Sequence, residues 1–189
     1  MIKKFFTAAV IVAAFSGCTA MQVIKPDVKT GYFATTKSGP TKKATVVKSV
    51  AFDIDTKKDT LLVSGQDFTP NMVKNIGYFN NVINFKELEE IIIKNNLTDA
   101  VPDISSKIGI NKAAKAYKPF LWLHWDIRKD NNKQYQQLIL TDPITLEDYF
   151  ISETYMDYVW TGVNDQNNYY PAFNSLIDYL KTNSKTYKK

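Results

Sequence analysis

The chain has 189 residues, of which 44% are hydrophobic and 13% aromatic, enough for one domain with an ordinary core. The net charge of +5 at pH 7 is spread along the chain, which argues against a nucleic-acid-binding protein. A single cysteine excludes a disulfide within the chain.

The N-terminal segment has the pattern of a secretory signal. Two lysines open it, an apolar run from Phe5 to Phe15 follows, and two small residues stand directly before Cys18. The run is too short for a transmembrane anchor, which needs about 17–25 apolar residues. An ordinary secretory signal would not need a cysteine at this point. We therefore predict a signal peptide over residues 1–17.

The junction resembles the lipobox of bacterial lipoproteins, in which an apolar residue and two small residues precede the cysteine. Phe15 stands where leucine is commonest in that family. The resemblance implies that Cys18 is acylated and becomes the first residue of the mature protein, which gives stable membrane anchoring. Thr19 follows it, and by resemblance to Gram-negative lipoproteins the lack of aspartate there implies the outer membrane.

The composition of the rest of the chain indicates three regions. Residues 18–44 hold prolines, glycines, lysines and threonines, so we predict the lipidated cysteine and a tether over this range. The globular domain is predicted over residues 45–183. The last residues, 184–189, form a basic tail that we expect to be frayed and solvated.

The first half of the domain alternates strand and helix patterns. Thr69 before Pro70 is typical of a helix start, and Asn84 with Glu87 matches a capping box. The predicted elements are strands over 45–54 and 60–63, a helix over 69–77, a strand over 78–83, and helices over 85–94 and 103–117.

The second half carries strand patterns and one helix. The strand over 119–127 alternates, and its purely apolar face, formed by Leu121, Leu123, Trp125 and Ile127, is predicted to meet the core. Further strands are predicted over 135–141 and 148–154, a fourth is permitted over 157–163, and a helix is predicted over 170–182. The order favours an α/β (α+β) fold, a single domain with helices packed on a mixed sheet.

This order of elements is similar to the amino-terminal domain of the Tol-system translocation protein and to the lipoprotein activators of penicillin-binding proteins. Both pair an early strand–helix–strand–helix unit with later antiparallel strands and a closing helix. The matching segments are TLLVSG, TPNMVKNIGYFNNVI, FKELEEIII, FLWLHWDI, QYQQLILTDPITLEDYFISET and YPAFNSLIDYL. The resemblance implies protein–protein contact within the cell envelope and transfers no functional residue.

Catalytic and metal-binding patterns are missing from the sequence. Asp53, Asp55 and Asp59 lack the glycine and glutamate of a calcium loop, so we interpret them as turn acids at strand ends. His124 is the only histidine, and the mature fold offers it no cysteine or second histidine, which favours a structural or solvent-facing role. We predict no enzymatic activity, no metal and no cofactor.

The segment from residue 155 to residue 170 combines aromatic and amide side chains, which is typical of a surface that contacts protein or glycan. The predicted contact surface comprises Tyr155, Tyr158, Trp160, Asn164, Asn167, Asn168, Tyr169 and Tyr170. The alternative is that Tyr158 and Trp160 pack in a strand and the loop only caps it.

The sequence therefore predicts a non-enzymatic lipoprotein anchored in the outer membrane through Cys18 and facing the periplasm. Its expected partners are the membrane and another envelope protein, not nucleic acid. Two alternatives stay open: a surface-exposed lipoprotein that binds a host or glycan ligand, and an envelope hydrolase whose acids come from distant segments.

Overall fold

A computed structural model describes residues 21–35, 41–65, 67–159 and 162–187, so the signal peptide and Cys18 lie outside the described residues. The elements are β1 (Thr45–Ser49), β2 (Thr60–Val63), α1 (Phe68–Ile76), β3 (Asn81–Ile83), α2 (Phe85–Lys94), α3 (Lys107–Ala116), β4 (Leu121–Asp130), β5 (Lys133–Asp142), β6 (Glu147–Tyr155) and α4 (Tyr170–Asn183). A 3₁₀ turn, Ile54–Lys57, precedes β2, and a π-helical turn, Asp165–Tyr169, leads into α4. Within this part of the chain, every helix is too short or too polar to cross a bilayer.

The strands form one mixed sheet in the order β1-β6-β5-β4-β2-β3. β2 runs parallel to β3 and β4, as expected where helices connect the strands. β4, β5, β6 and β1 pair antiparallel in succession. The predicted α/β fold class with a mixed sheet is confirmed.

Local sequence signals explain where two helices begin and end. The capping box of α2 is confirmed, because Asn84 Oδ1 accepts the Glu87 N–H at 2.9 Å and Glu87 Oε2 accepts the Asn84 N–H at 2.7 Å. Gly77 ends α1 in the left-handed region at φ 69°. Thr69 does not cap α1 as predicted, because it lies inside the helix and its hydroxyl accepts a hydrogen bond from Trp125 Nε1 at 3.0 Å.

Helices cover the two faces of the sheet unequally. One face, lined by residues such as Leu61, Leu123 and Phe150, packs against α1 and α4 and forms the main core. On the other face, α2 and α3 pack on β2 and the start of β4, where Phe120 and Trp122 are buried. Among the described residues, no side chain of β5, β6 or β1 belongs to this second cluster. The α2–α3 layer therefore covers only one half of the sheet.

Part of the segment predicted as a tether packs on the domain. Residues 21–35 and 41–44, which we call the N-terminal strap, lie along α4, and Phe33 is fully buried. Asn174 Oδ1 accepts the Phe33 N–H at 2.8 Å, and Asn174 Nδ2 donates to the Phe33 carbonyl at 2.9 Å. One buried aromatic and one buried amide thus fix a stretch whose composition is otherwise typical of a linker.

The predicted tail is also held on the domain as far as residue 187. The Asp55 carboxylate accepts hydrogen bonds from the hydroxyls of Thr186 at 2.6 Å, Ser184 at 2.7 Å and Tyr78 at 2.9 Å. These bonds, that of Thr186 above all, hold the pKa of Asp55 far below its usual range. Tyr187 is buried against Tyr78. The acid interpreted as a turn residue therefore also anchors the C-terminal segment.

Candidate contact surface

The predicted contact residues have different environments in the structure. Asn168 is fully buried, and its Nδ2 donates to Thr154 Oγ1 at 3.2 Å and to the Tyr155 carbonyl at 3.0 Å. Tyr170 is 2% exposed and belongs to the main core. Trp160 lies outside the described residues. Asn168 and Tyr170 are therefore not available to a partner in this fold.

The other amides and Tyr169 shape the loop before α4. Asn164 Oδ1 accepts the Asn167 N–H at 2.9 Å and caps the π-helical turn. The Tyr169 ring packs edge-on against Phe68 at 5.5 Å and Trp125 at 5.2 Å. The permitted fourth strand does not form in the described residues 157–159 and 162–163, which are turn or irregular backbone. Much of the amide-rich pattern thus reflects capping.

The exposed part of the predicted surface lies at the end of β6. Tyr155 is 50% exposed, Tyr158 is 61% exposed and the adjacent Val159 is 80% exposed. The Tyr158 hydroxyl donates to Gln134 Oε1 at 3.4 Å, which holds this side chain over the start of β5. These residues present aromatic and aliphatic surface to solvent.

Tyr155 lies next to four further side chains that were not predicted from the sequence. Its ring lies 5.7 Å from that of Tyr135, and the Arg128 guanidinium lies 4.3 Å from the centre of the Tyr135 ring. Arg128 Nε and Nη2 donate to the two carboxylate oxygens of Glu153, each at 2.9 Å. Gln137 Nε2 donates to the same carboxylate at 3.0 Å. We call these five residues the outer face.

Strand register brings the outer face together. Arg128 pairs with Tyr135 across β4 and β5, while Tyr135 and Gln137 pair with Tyr155 and Glu153 across β5 and β6. Residues two apart on a strand share a face, so all five point to one side of the sheet. This side belongs to the half that the α2–α3 layer leaves uncovered. The alternation in the sequence indicates which residues of one strand share a face. Only the pairing register shows which residues of different strands lie next to each other.

Electrostatics fix the charges of the outer face. The Arg128 hydrogen bonds, with help from Gln137, hold the pKa of Glu153 below its usual value, and the pKa of Arg128 is raised by the same carboxylate. Both groups are therefore charged at neutral pH, and Glu153 is a poor proton donor there. The bidentate pair and the two adjacent tyrosine rings form a pre-organised surface suited to contact rather than to proton transfer.

The contacts of His124 indicate a structural role. Its ring stacks on Trp122 at 4.0 Å and its Nε2 lies 3.0 Å from Thr141 Oγ1. The Thr141 hydroxyl donates to Asp148 at 2.6 Å, so Nε2 must carry the proton in the bond to Thr141. Burial lowers the pKa of His124 below its ordinary value, and at neutral pH the ring is uncharged.

The structure also contains a groove outside the outer face. A groove of about 900 Å³ lies between α2 and residues 98–105, lined by Ile92, Ile93 and Val101 together with Lys86 and Glu89. Among the residues that the structure describes, no three potential ligands lie close enough to hold a metal ion. The neighbouring acids Asp53 and Asp59 form ion pairs, Asp53 with Lys185 and Asp59 with Lys118.

Comparisons with known proteins give structural similarities only. No family model matches the chain, and no curated protein matches it. The LpoB C-terminal domain from Salmonella enterica is similar with a TM-score of 0.36 and 15% identity, over 52% of this chain and 82% of that chain. The LpoB C-terminal domain from Escherichia coli is similar with a TM-score of 0.34 and 13% identity, over 53% of this chain and 83% of that chain. Both similarities therefore leave almost half of this chain unmatched.

Proposed function

We propose that this protein is a lipoprotein, anchored in the outer membrane through Cys18 and facing the periplasm, that binds another envelope protein without catalysing a reaction. The lipobox pattern supports the anchor. The outer face of β4–β6 carries the binding proposal, because it is an uncovered sheet surface with aromatic rings and a fixed ion pair.

The chemistry of the outer face suits a protein partner. Tyrosine and arginine are enriched where interfaces derive most of their binding energy. Arg128 is already neutralised by Glu153, so the partner is expected to stack on Tyr135, Tyr155 and the guanidinium plane rather than to supply a counter-charge. Side chains already held in place lose little conformational entropy on binding.

Photo-crosslinking in living cells tests this proposal. A benzophenone amino acid placed at Tyr155 is expected to form one discrete adduct with an envelope protein. The matched control is Ile93 on α2, which is similarly exposed at 57% against 50% for Tyr155. The conservative change Arg128→Lys removes the bidentate bond and the guanidinium group above the Tyr135 ring, and it should reduce the adduct severalfold.

Two outcomes would contradict the proposal. One is an equally strong adduct to the same protein from position 93, and the other is an adduct from position 155 that Arg128→Lys leaves unchanged. Protease treatment of intact cells tests the orientation, because a periplasm-facing protein should be protected and loss of the protein would favour the surface-exposed alternative.

A further inference from the structure

The N-terminal strap fixes the chain almost up to the lipidated cysteine. Met21 packs against the main core. The Gln22 N–H donates to Asp165 Oδ2 at 2.8 Å, and the Gln22 carbonyl accepts a hydrogen bond from the Tyr170 hydroxyl at 2.9 Å. Tyr170 and Asp165 belong to α4 and to the π-helical turn before it, so the point where the chain leaves the domain is part of the fold.

The remaining chain is too short to separate the domain from the membrane. Three peptide units join Cys18 to Met21, and a fully extended chain covers at most about 11 Å over that length. The polar layer on each side of a bilayer is itself about 5–8 Å deep. This step rests on the acylation of Cys18, which is part of the proposed function.

Three exposed apolar side chains lie at the end of the domain where the strap begins. Val23 is 46% exposed, directly after the fixed Gln22, and Tyr158 and Val159 precede the π-helical turn that Gln22 contacts. Asn168, in that turn, donates to the Tyr155 carbonyl, which places the end of β6 beside it. The exposed apolar side chains therefore lie at the same end of the sheet as the point where the chain leaves the domain towards Cys18.

We infer that the domain rests directly on the membrane that holds its lipid, with Val23, Tyr158 and Val159 in the headgroup layer. Tyrosine suits this position because its ring is apolar and its hydroxyl is polar. Tyr155 lies at the same end, so the partner of the outer face must itself lie at the membrane surface. A partner reached across the periplasm by a long tether does not fit this geometry.

Collisional quenching of a fluorophore by a lipid nitroxide tests this arrangement. Acylated Cys18 has no free thiol, so a cysteine introduced by Val159→Cys is the one labelling site. Thr145→Cys is the matched control, since residue 145 is an exposed turn residue at the opposite end of the β5–β6 hairpin. The two positions are separated by the length of β5, about 30 Å for a strand of this kind.

The full-length acylated protein is reconstituted in vesicles of phosphatidylethanolamine and phosphatidylglycerol with nitroxide on a fraction of the headgroups. We expect the label at 159 to be quenched severalfold more than the label at 145. Inserting about twelve Gly and Ser residues between Ala20 and Met21, with a reach of about 20 Å, should weaken quenching at 159.

Equal quenching at the two positions, or quenching at 159 that the insertion leaves unchanged, would overturn the inference. Vesicle flotation distinguishes this result from failure of the proposed anchor. Protein that floats with the vesicles but is quenched equally is anchored without resting on the surface. Protein that does not float lacks the anchor, which overturns the proposed function and this inference together.

Discussion

Replacing Asn174 with alanine is expected to lower the free energy of unfolding by about 3–5 kcal/mol, because it leaves several buried backbone groups without partners at about 1–3 kcal/mol each. Asn174 is fully buried and forms hydrogen bonds with the N–H and carbonyl of Phe33 and with the Lys42 carbonyl. Urea denaturation of a protein that comprises residues 19–189 measures the loss. The strap should also open, so trypsin should cut after Lys29 faster than in the native protein.

Asn71→Ala is the control for this substitution. Asn71 is an exposed helical residue whose amide donates to the Asp67 carbonyl at 2.9 Å, and its removal should change stability by no more than about 0.5 kcal/mol. A loss below about 1 kcal/mol for Asn174→Ala would show that the strap contributes little to the fold. Unchanged trypsin cleavage would argue against the short tether on which the membrane inference depends.

Replacing Asp142 with alanine is expected to destabilise the domain by about 3–5 kcal/mol, the range found when one partner of a buried ion pair is removed. Asp142 is 1% exposed and forms an ion pair with Lys57 of the 3₁₀ turn. It also accepts hydrogen bonds from the Tyr149 hydroxyl at 3.1 Å and the Ile144 N–H at 2.9 Å. The substitution would leave Lys57 and Tyr149 without their acceptor.

The same carboxylate should make stability depend on pH. Burial acts to raise the pKa of Asp142, but the Lys57 and Ile144 bonds outweigh it and the pKa lies below the ordinary value of 3.8. A lowered pKa contributes stability above pH 3.8 that is lost as the pH falls through the folded-state pKa. The difference between wild type and Asp142→Ala should therefore be largest near pH 7 and shrink at acid pH.

Asp130→Ala is the control for the second substitution, because Asp130 pairs with Arg128 at 3.4 Å in an exposed position. An exposed ion pair contributes about 0–1 kcal/mol, so little change is expected. If Asp142→Ala costs no more than Asp130→Ala, or if its effect does not change with pH, the Lys57–Asp142 pair does not stabilise this fold as described.

Local patterns predicted much of the fold. The capping box at Asn84 was readable because both partners lie within one helical turn. Leu121 and Leu123 were correctly assigned to the core from strand alternation. Ile127, on the same predicted face, is 50% exposed, because it lies two residues beyond Trp125, the last residue of that face to pack against the main core. Period-two alternation identifies a face but not how far the covering helices extend.

Long-range contacts account for the rest. The strap depends on Asn174 meeting Phe33 across 141 residues of sequence, and the C-terminal segment depends on Asp55 meeting Thr186 across 131. Neither pairing leaves a local signal. At the candidate site, composition selected Tyr155 and Tyr158, which are exposed, together with Asn168, which is fully buried. Composition alone does not distinguish exposed from buried members of such a segment.

The intact mass of the full-length protein extracted from cell membranes, compared with that of Cys18→Ala, tests directly whether Cys18 carries lipid. Both proposals depend on the lipid at Cys18. We predict a membrane-bound protein that begins at residue 18 and carries a diacylglycerol thioether and an N-acyl chain, whereas Cys18→Ala should lack both modifications. Recovery of the unprocessed 21.6 kDa chain, or of a cleaved chain without acyl groups, would contradict this prediction.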